Sequence, residues 1–484
     1  MKKSAVLLLY ALNTASIAFP QKPVLPGIDS IITAGIIAPG APLPYTSLAA
    51  RMKSRRVNGL SITVIDQGNI AWSKGFGLAN ADDPQDTVSP QTLFQMGSIG
   101  KLLTAITVLH LVREHKISLD EDVNNKLQSW KVPVNDHTAQ HPVTVRNLLS
   151  HSAGLTDEYG FEGYYPHTEL PTLLQILNAQ KPANNEKPLR VNKVPGTVEL
   201  YSGGGYVILQ QLVEDLTGQS FAGYVTQTVL QPLQMTHTTY NYYPDESGAH
   251  IATGHESNGK TDPKRRYNVY PEMAPAGPWT TPEDIARLLL EIQAAANGRS
   301  DKILDSTLAR TMLTPQINNM GLGPHLSGAA AVQAFWHAGN TAGFVCLAYG
   351  LPYNGQGAVV MTNSDGGEWL SLEIIRSIAR AYHWPVMQPY TLQPLNDSTM
   401  AAFSGNYATD RGKISITAKA GNLFLKTGTG QNLPLLYLGG DSCTIRDATD
   451  KFRLVLDRSN SGAVSGLHIY QHAGSGNMVF TKLL

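Results

Sequence analysis

The stretch Leu102–Val112, LLTAITVLHLV, is apolar on every side of a helix. An amphipathic surface helix keeps a polar face, so a helix of this kind belongs in the middle of a core. At 484 residues the chain is too long for one ordinary domain and long enough for a large core. Just ahead of the apolar run lies FQMGSIGK, Phe94 to Lys101. If the helix opens at Ser98, Lys101 sits at i+3 on the same face, about 5–6 Å away between Cβ atoms. Desolvation at the first turn of such a helix lowers a lysine's pKa and lets it act as a neutral base. A serine alone is a poor nucleophile and needs a neighbour of that sort. Two other readings compete. A phosphate loop would need glycine where Gln95 stands and Ser or Thr where Leu102 stands, and both requirements fail. A serine N-cap with an incidental lysine is the remaining alternative for the four residues taken alone.

Charged residues are 15% of the chain and balance to zero net charge. A neutral chain without basic blocks argues against nucleic acid or an anionic membrane as the main partner. The N-terminus, MKKSAVLLLYALNTASIAFPQ, places two lysines before an apolar run that ends in small residues. It reads as a signal peptide over residues 1–18, cut after Ala18, which implies a periplasmic or secreted protein. No later stretch is apolar enough to span a bilayer. Cys346 and Cys443 lie far apart and read as buried free thiols.

LSITVIDQGNIAWSKGFG alternates apolar and polar residues around Gln67-Gly68 and reads as a β-hairpin. VTVRNLLSHSAGL reads as a short helix ending at Gly154, and Gly205–Gly218 as an amphipathic helix closed by glycine. TTPEDIARLLLEIQAAANG opens with a threonine cap and Pro282. Strand-like runs and the helix WLSLEIIRSIARAYHW follow. This order gives an α+β layered domain over 19–388. The proline-rich residues 389–398 read as a linker. Residues 399–484, short alternating runs between glycine turns, read as a small all-β barrel or sandwich.

Further motifs occur in order: LLSHSAGL, YSGGGY from Tyr201, PLQMTHTTY, AGPWTTPEDIARLLLE and WHAGNTAGF from Trp336. With GSIGK they resemble the serine β-lactamase and penicillin-binding protein superfamily over about residues 45–385. The nearest branch holds class C β-lactamases, D-aminopeptidases, D-Ala-D-Ala carboxypeptidases and family VIII carboxylesterases. The resemblance implies an α/β/α sandwich with an antiparallel sheet and a helical subdomain. The C-terminal segment is similar to the small β-barrel attached to several relatives.

The resemblance also implies roles. Ser98 would form an acyl-enzyme with help from Lys101, and Tyr201 of the Y-x-N motif would relay the proton. His337-Ala338-Gly339 would stand for the K-T-G or H-x-G motif. The backbone N–H groups of Ser98 and Asn340, just after Gly339, would form the oxyanion hole. Two departures bear on substrate. Gly203 replaces the asparagine of Y-x-N and cannot supply its amide contact. His337 replaces lysine and is mostly uncharged at neutral pH, which points away from penicillins toward peptides or esters without a carboxylate there. Lys426-Thr427-Gly428 is a literal K-T-G, but it lies in the β-domain and reads as a hairpin turn. Gly218-x-Ser220-x-Ala222 is no nucleophile elbow, and His137 with His141 lacks the pattern of a zinc site. His151 reads as shaping a turn behind the site. No cofactor or metal is expected.

The first expectation is therefore a serine hydrolase of D-amino-acid-containing peptides, amides or esters. β-Lactamase and carboxylesterase are alternatives of the same fold, and a non-catalytic penicillin- or peptidoglycan-binding protein is the alternative of another class. The tyrosine-rich loops DEYGFEGYYPHTELP and YNYYPDESGAHIATGHESNGK are expected to wall the pocket for a small-molecule or peptide substrate.

Overall fold

The computed structural model describes residues 32–483 apart from 43, 156–160, 329–331, 410–411, 429, 446–451 and 472–477. The signal-peptide expectation lies outside the described residues. The helices used below are α1 (Leu48–Arg55), α2 (Gly100–Arg113), α3 (Gly203–Thr217), α4 (Pro282–Ala296) and α5 (Gly367–Ala381). The strands of the large domain are β1 (Gly59–Asp66), β2 (Asn69–Gly77), β3 (His325–Ser327), β4 (Ala334–Thr341), β5 (Phe344–Leu351) and β6 (Gln356–Thr362). They form one six-stranded sheet, order β2-β1-β6-β5-β4-β3, antiparallel throughout.

Both faces of this sheet are covered, so its strands alternate between two buried sides. In β5, Leu347, Tyr349 and Leu351 join Leu60, Ile62 and Val64 in a core with α1 and α5. Cys346 and Ala348 face the other way, into a larger core with α2, α3 and α4. The central element of that larger core is α2, buried on nearly every side as its composition requires. The fold class expected from the order of elements is the one observed.

Element ends follow local chemistry. The β1–β2 turn places Gln67 and Gly68 at φ 53° and 73°, the left-handed pair of a tight hairpin. Thr281 caps α4 by accepting from the N–H of Asp284, with Pro282 in the first turn. Ser202 caps α3, and Gly218 ends it at φ 67°. One helix is shorter than expected: Val145–Leu149 stops well before Gly154, because His151 takes φ 55° and turns the chain toward Leu200.

Eight further strands, β7 (Gly405–Thr409), β8 (Gly412–Lys419), β9 (Asn422–Lys426), β10 (Asn432–Gly439), β11 (Ser442–Ile445), β12 (Phe452–Arg458), β13 (Val464–Gln471) and β14 (Met478–Leu483), close into an up-and-down barrel. Its interior is filled by alternate residues such as Leu423, Leu425, Leu454, Leu456, Leu467 and Ile469. Lys426 ends β9 on the exposed side, far in sequence from Ser98. The segment 389–398 is paired rather than loose: Tyr390–Thr391 runs parallel to Ile36–Ile37, and Asn396 caps a helix over Asp397–Phe403. Cys346 and Cys443 are buried free thiols.

Candidate active site

Ser98 lies in a 3-10 turn, Gly97–Ile99, that leads into α2. The turn is pinned from two sides. Before it, Phe94–Gln95 pairs with Trp279–Thr280, and the N–H of Met96 donates to Pro278 O at 3.3 Å. Beside it runs β4, so close that a Cβ on Gly339 would sit 1.9 Å from Met96 O. A Cβ on Gly97 would sit 2.8 Å from Asn340 N, and Gly97 has φ 51°. Two glycines thus let the backbone of Asn340 meet the backbone of the serine turn.

Lys101 is fully buried and donates from Nζ to Ser98 Oγ at 2.8 Å and to Pro275 O at 3.3 Å. The Tyr201 hydroxyl is hydrogen-bonded to Ser98 as well. Burial pushes the Tyr201 phenol up, and the Ser98 bond only partly opposes that, so Tyr201 stays protonated. Lys101 Nζ also lies 4.9 Å from the centre of the Tyr201 ring and 5.6 Å from that of Tyr206. Gly203 is the first residue of α3, with no side chain to offer a substrate.

Three histidines surround Tyr201. His151 lies tilted against it at 4.2 Å, His325 lies parallel at 6.3 Å, and His337 lies tilted at 6.3 Å. His337 is only 1% exposed. Its Nδ1 is 2.7 Å from Ala338 O; a carbonyl can only accept, so Nδ1 carries the proton. Burial holds the pKa of His337 well down, with His325 and Lys101 pushing the same way. The ring is therefore a neutral neighbour of Tyr201. His151 is buried too, and its pKa is likewise held down, first by burial and then by Lys101.

His325 was not among the expected residues. It sits in the three-residue edge strand β3, opposite Trp336, and stacks on that indole at 4.5 Å. A strand this short carries no periodic signal. The residues named from sequence as Ser98, Lys101, Tyr201, His337, Gly339, Asn340 and Gly203 all come to this one place.

Beside Asn340 opens a cavity of about 720 Å³. Phe161, Tyr164 and Tyr165 of the first tyrosine-rich loop line it together with Arg265, Asn268 and Tyr270. The second loop, Tyr240–Lys260, is absent from its lining.

The Beta-lactamase family model matches residues 46–383. A teichoic acid D-alanine hydrolase of Staphylococcus aureus is 25% identical over 250 residues, 51% of this chain and 57% of that protein. The chain spans about half the length of the curated relatives it matches. Among solved structures, the octameric penicillin-binding protein homologue from Pyrococcus abyssi matches with TM-score 0.59 and 21% identity, over 90% of this chain and 98% of that one. That span takes in the barrel as well as the sandwich. A D-amino acid amidase from Ochrobactrum anthropi matches with TM-score 0.57 and 21% identity, over 69% and 97%.

Proposed function

The chain belongs to the Beta-lactamase family, and from that premise we propose that it is a serine hydrolase working through an acyl-enzyme on Ser98. One observation carries the reading: a fully buried lysine and a protonated tyrosine both hold the same serine oxygen. As Ser98 Oγ bonds to the substrate carbonyl carbon, its proton passes to Lys101, which acts in its neutral amine form. Tyr201, held as a phenol, hands its own proton to the departing amine or alcohol, so proton number balances. Water then cleaves the acyl-enzyme by the reverse relay. The N–H groups of Ser98 and Asn340 receive the oxyanion, each donor worth about 2.7–4 kcal/mol in such sites.

The substrates are D-amino-acid-containing peptides or related amides and esters, in keeping with relatives named for D-alanine and D-amino acid amide hydrolysis. A neutral, buried His337 offers no cation to a substrate carboxylate, which weighs against penicillins. The tyrosine-lined cavity beside Asn340 suits one amphipathic side of the substrate. Action outside the cytoplasm, periplasmic or secreted, fits both the N-terminal pattern and a relative named for teichoic acid. The test presents wild type and Ser98→Ala with a penicillin, an N-terminal D-Ala peptide, a peptide ending D-Ala-D-Ala and a short-chain ester, read by mass spectrometry. Wild type alone should consume a component and carry a transient adduct on Ser98. Equal consumption by both proteins, or none by either, overturns the reading.

A further inference from the structure

Tyr201 is gripped by a residue that the relay does not use. The His151 carbonyl accepts the N–H of Leu200 at 2.8 Å, and the His151 Nδ1 accepts the N–H of Ser202 at 3.1 Å. One residue therefore holds the backbone on both sides of Tyr201, while its ring lies flat enough on the phenol to touch it, 4.2 Å between centres at 32°. Because a backbone N–H donates into Nδ1, the ring's proton is on Nε2. The hold depends on the backbone at His151, whose φ of 55° is left-handed, a region uncommon for residues with a side chain although Asn, Asp and His are enriched there. It also depends on neutrality, since a proton on Nδ1 would turn acceptor into donor. On the opposite side of the turn, Tyr206 OH donates to Leu149 O at 3.1 Å and ties α3 to the same short helix.

We infer that His151 is a positioning residue that clamps the Tyr201 backbone, so that the phenol stays aligned between Ser98 and the leaving group. The inference rests on the hydrolase reading above.

Its test uses two substrates that differ in need. An amide such as D-alanine p-nitroanilide leaves as an amine that must be protonated; p-nitrophenyl acetate leaves as a stable phenolate. His151→Gly keeps the left-handed turn and removes the ring acceptor. His151→Asn tolerates the same φ and returns an oxygen near the position of Nδ1. Misalignment of about 1 Å costs on the order of 100-fold. Thus His151→Gly should lose about 100-fold in kcat on the anilide, about tenfold or less on the ester, and leave KM within about threefold. His151→Asn should recover most of the anilide rate. Equal losses on both substrates, or no recovery with Asn at matched melting temperature, would overturn the clamp. If wild type itself forms no Ser98 adduct, the hydrolase reading falls and the clamp falls with it. If wild type turns over both substrates and His151→Gly matches it, the hydrolase reading stands and the clamp alone is lost.

Discussion

Glu272 begins the helical turn Met273–Ala276 but gives it no side-chain hydrogen bond. Both carboxyl oxygens are buried, with no hydrogen-bond partner among the described residues beyond Glu272's own backbone. Burial accordingly raises its pKa from 4.5 to about 8. A carboxyl with a raised pKa keeps its proton in the folded state while the unfolded chain releases it. Stability from this residue is therefore full below pH 4.5 and falls as pH rises toward 8, by a few kcal/mol in all. Glu272→Gln should flatten that slope: melting temperatures of wild type and variant, compared at pH 5, 7 and 9, should diverge in the variant's favour as pH rises. A pH-independent difference would mean the carboxyl is not the titrating group. Residues of this kind were invisible in sequence, since a glutamate after YP reads as loop. Ser98, Lys101 and Tyr201 were legible because their chemistry forces them into short fixed strings. Of the rings around Tyr201, His151 and His337 were named from sequence and His325 was not, since it reaches Tyr201 only through tertiary contact.

At the scale of elements, the site is a contact between a 3-10 turn and a strand. Helix ends could be read locally: Thr281 with Pro282, Ser202 with Gly218. The turn at Gly97–Ile99 could not, because what sets it is a strand some 240 residues on, an approach that no local pattern encodes. Two substitutions separate these kinds of information. Thr281→Ala removes a cap and should cost about 1 kcal/mol in denaturant unfolding while activity holds. Gly339→Ala drives a methyl against Met96 O and should move the Asn340 N–H, the proposed oxyanion donor, away from Ser98. It should lower kcat/KM about 100-fold with a stability loss of only about 1–3 kcal/mol. Retained activity in Gly339→Ala would show that β4 can shift without harm, and would remove Asn340 from the oxyanion hole.

Across the whole molecule, the sandwich and the barrel keep separate apolar cores. The segment between them is tied at both ends, Tyr390–Thr391 to Ile36–Ile37 and Gln393 N–H to Tyr437 O at 3.0 Å. Those ties are backbone hydrogen bonds, and hydrogen bonds near the surface contribute only about 1 kcal/mol each. Cores joined so weakly should melt as separate cooperative units. Leu454 is fully buried inside the barrel, and Leu454→Ala should destabilise it by about 2–5 kcal/mol. Calorimetry should then show the barrel's transition move down while the sandwich's stays in place. Ester turnover below the lower transition should match wild type, because no described barrel residue lies among those gathered around Ser98. A single transition that shifts as one would mean that the barrel braces the hydrolase fold. In that case its alternating glycine-punctuated strands, plain in the sequence as a separate β unit, would belong energetically to the catalytic half.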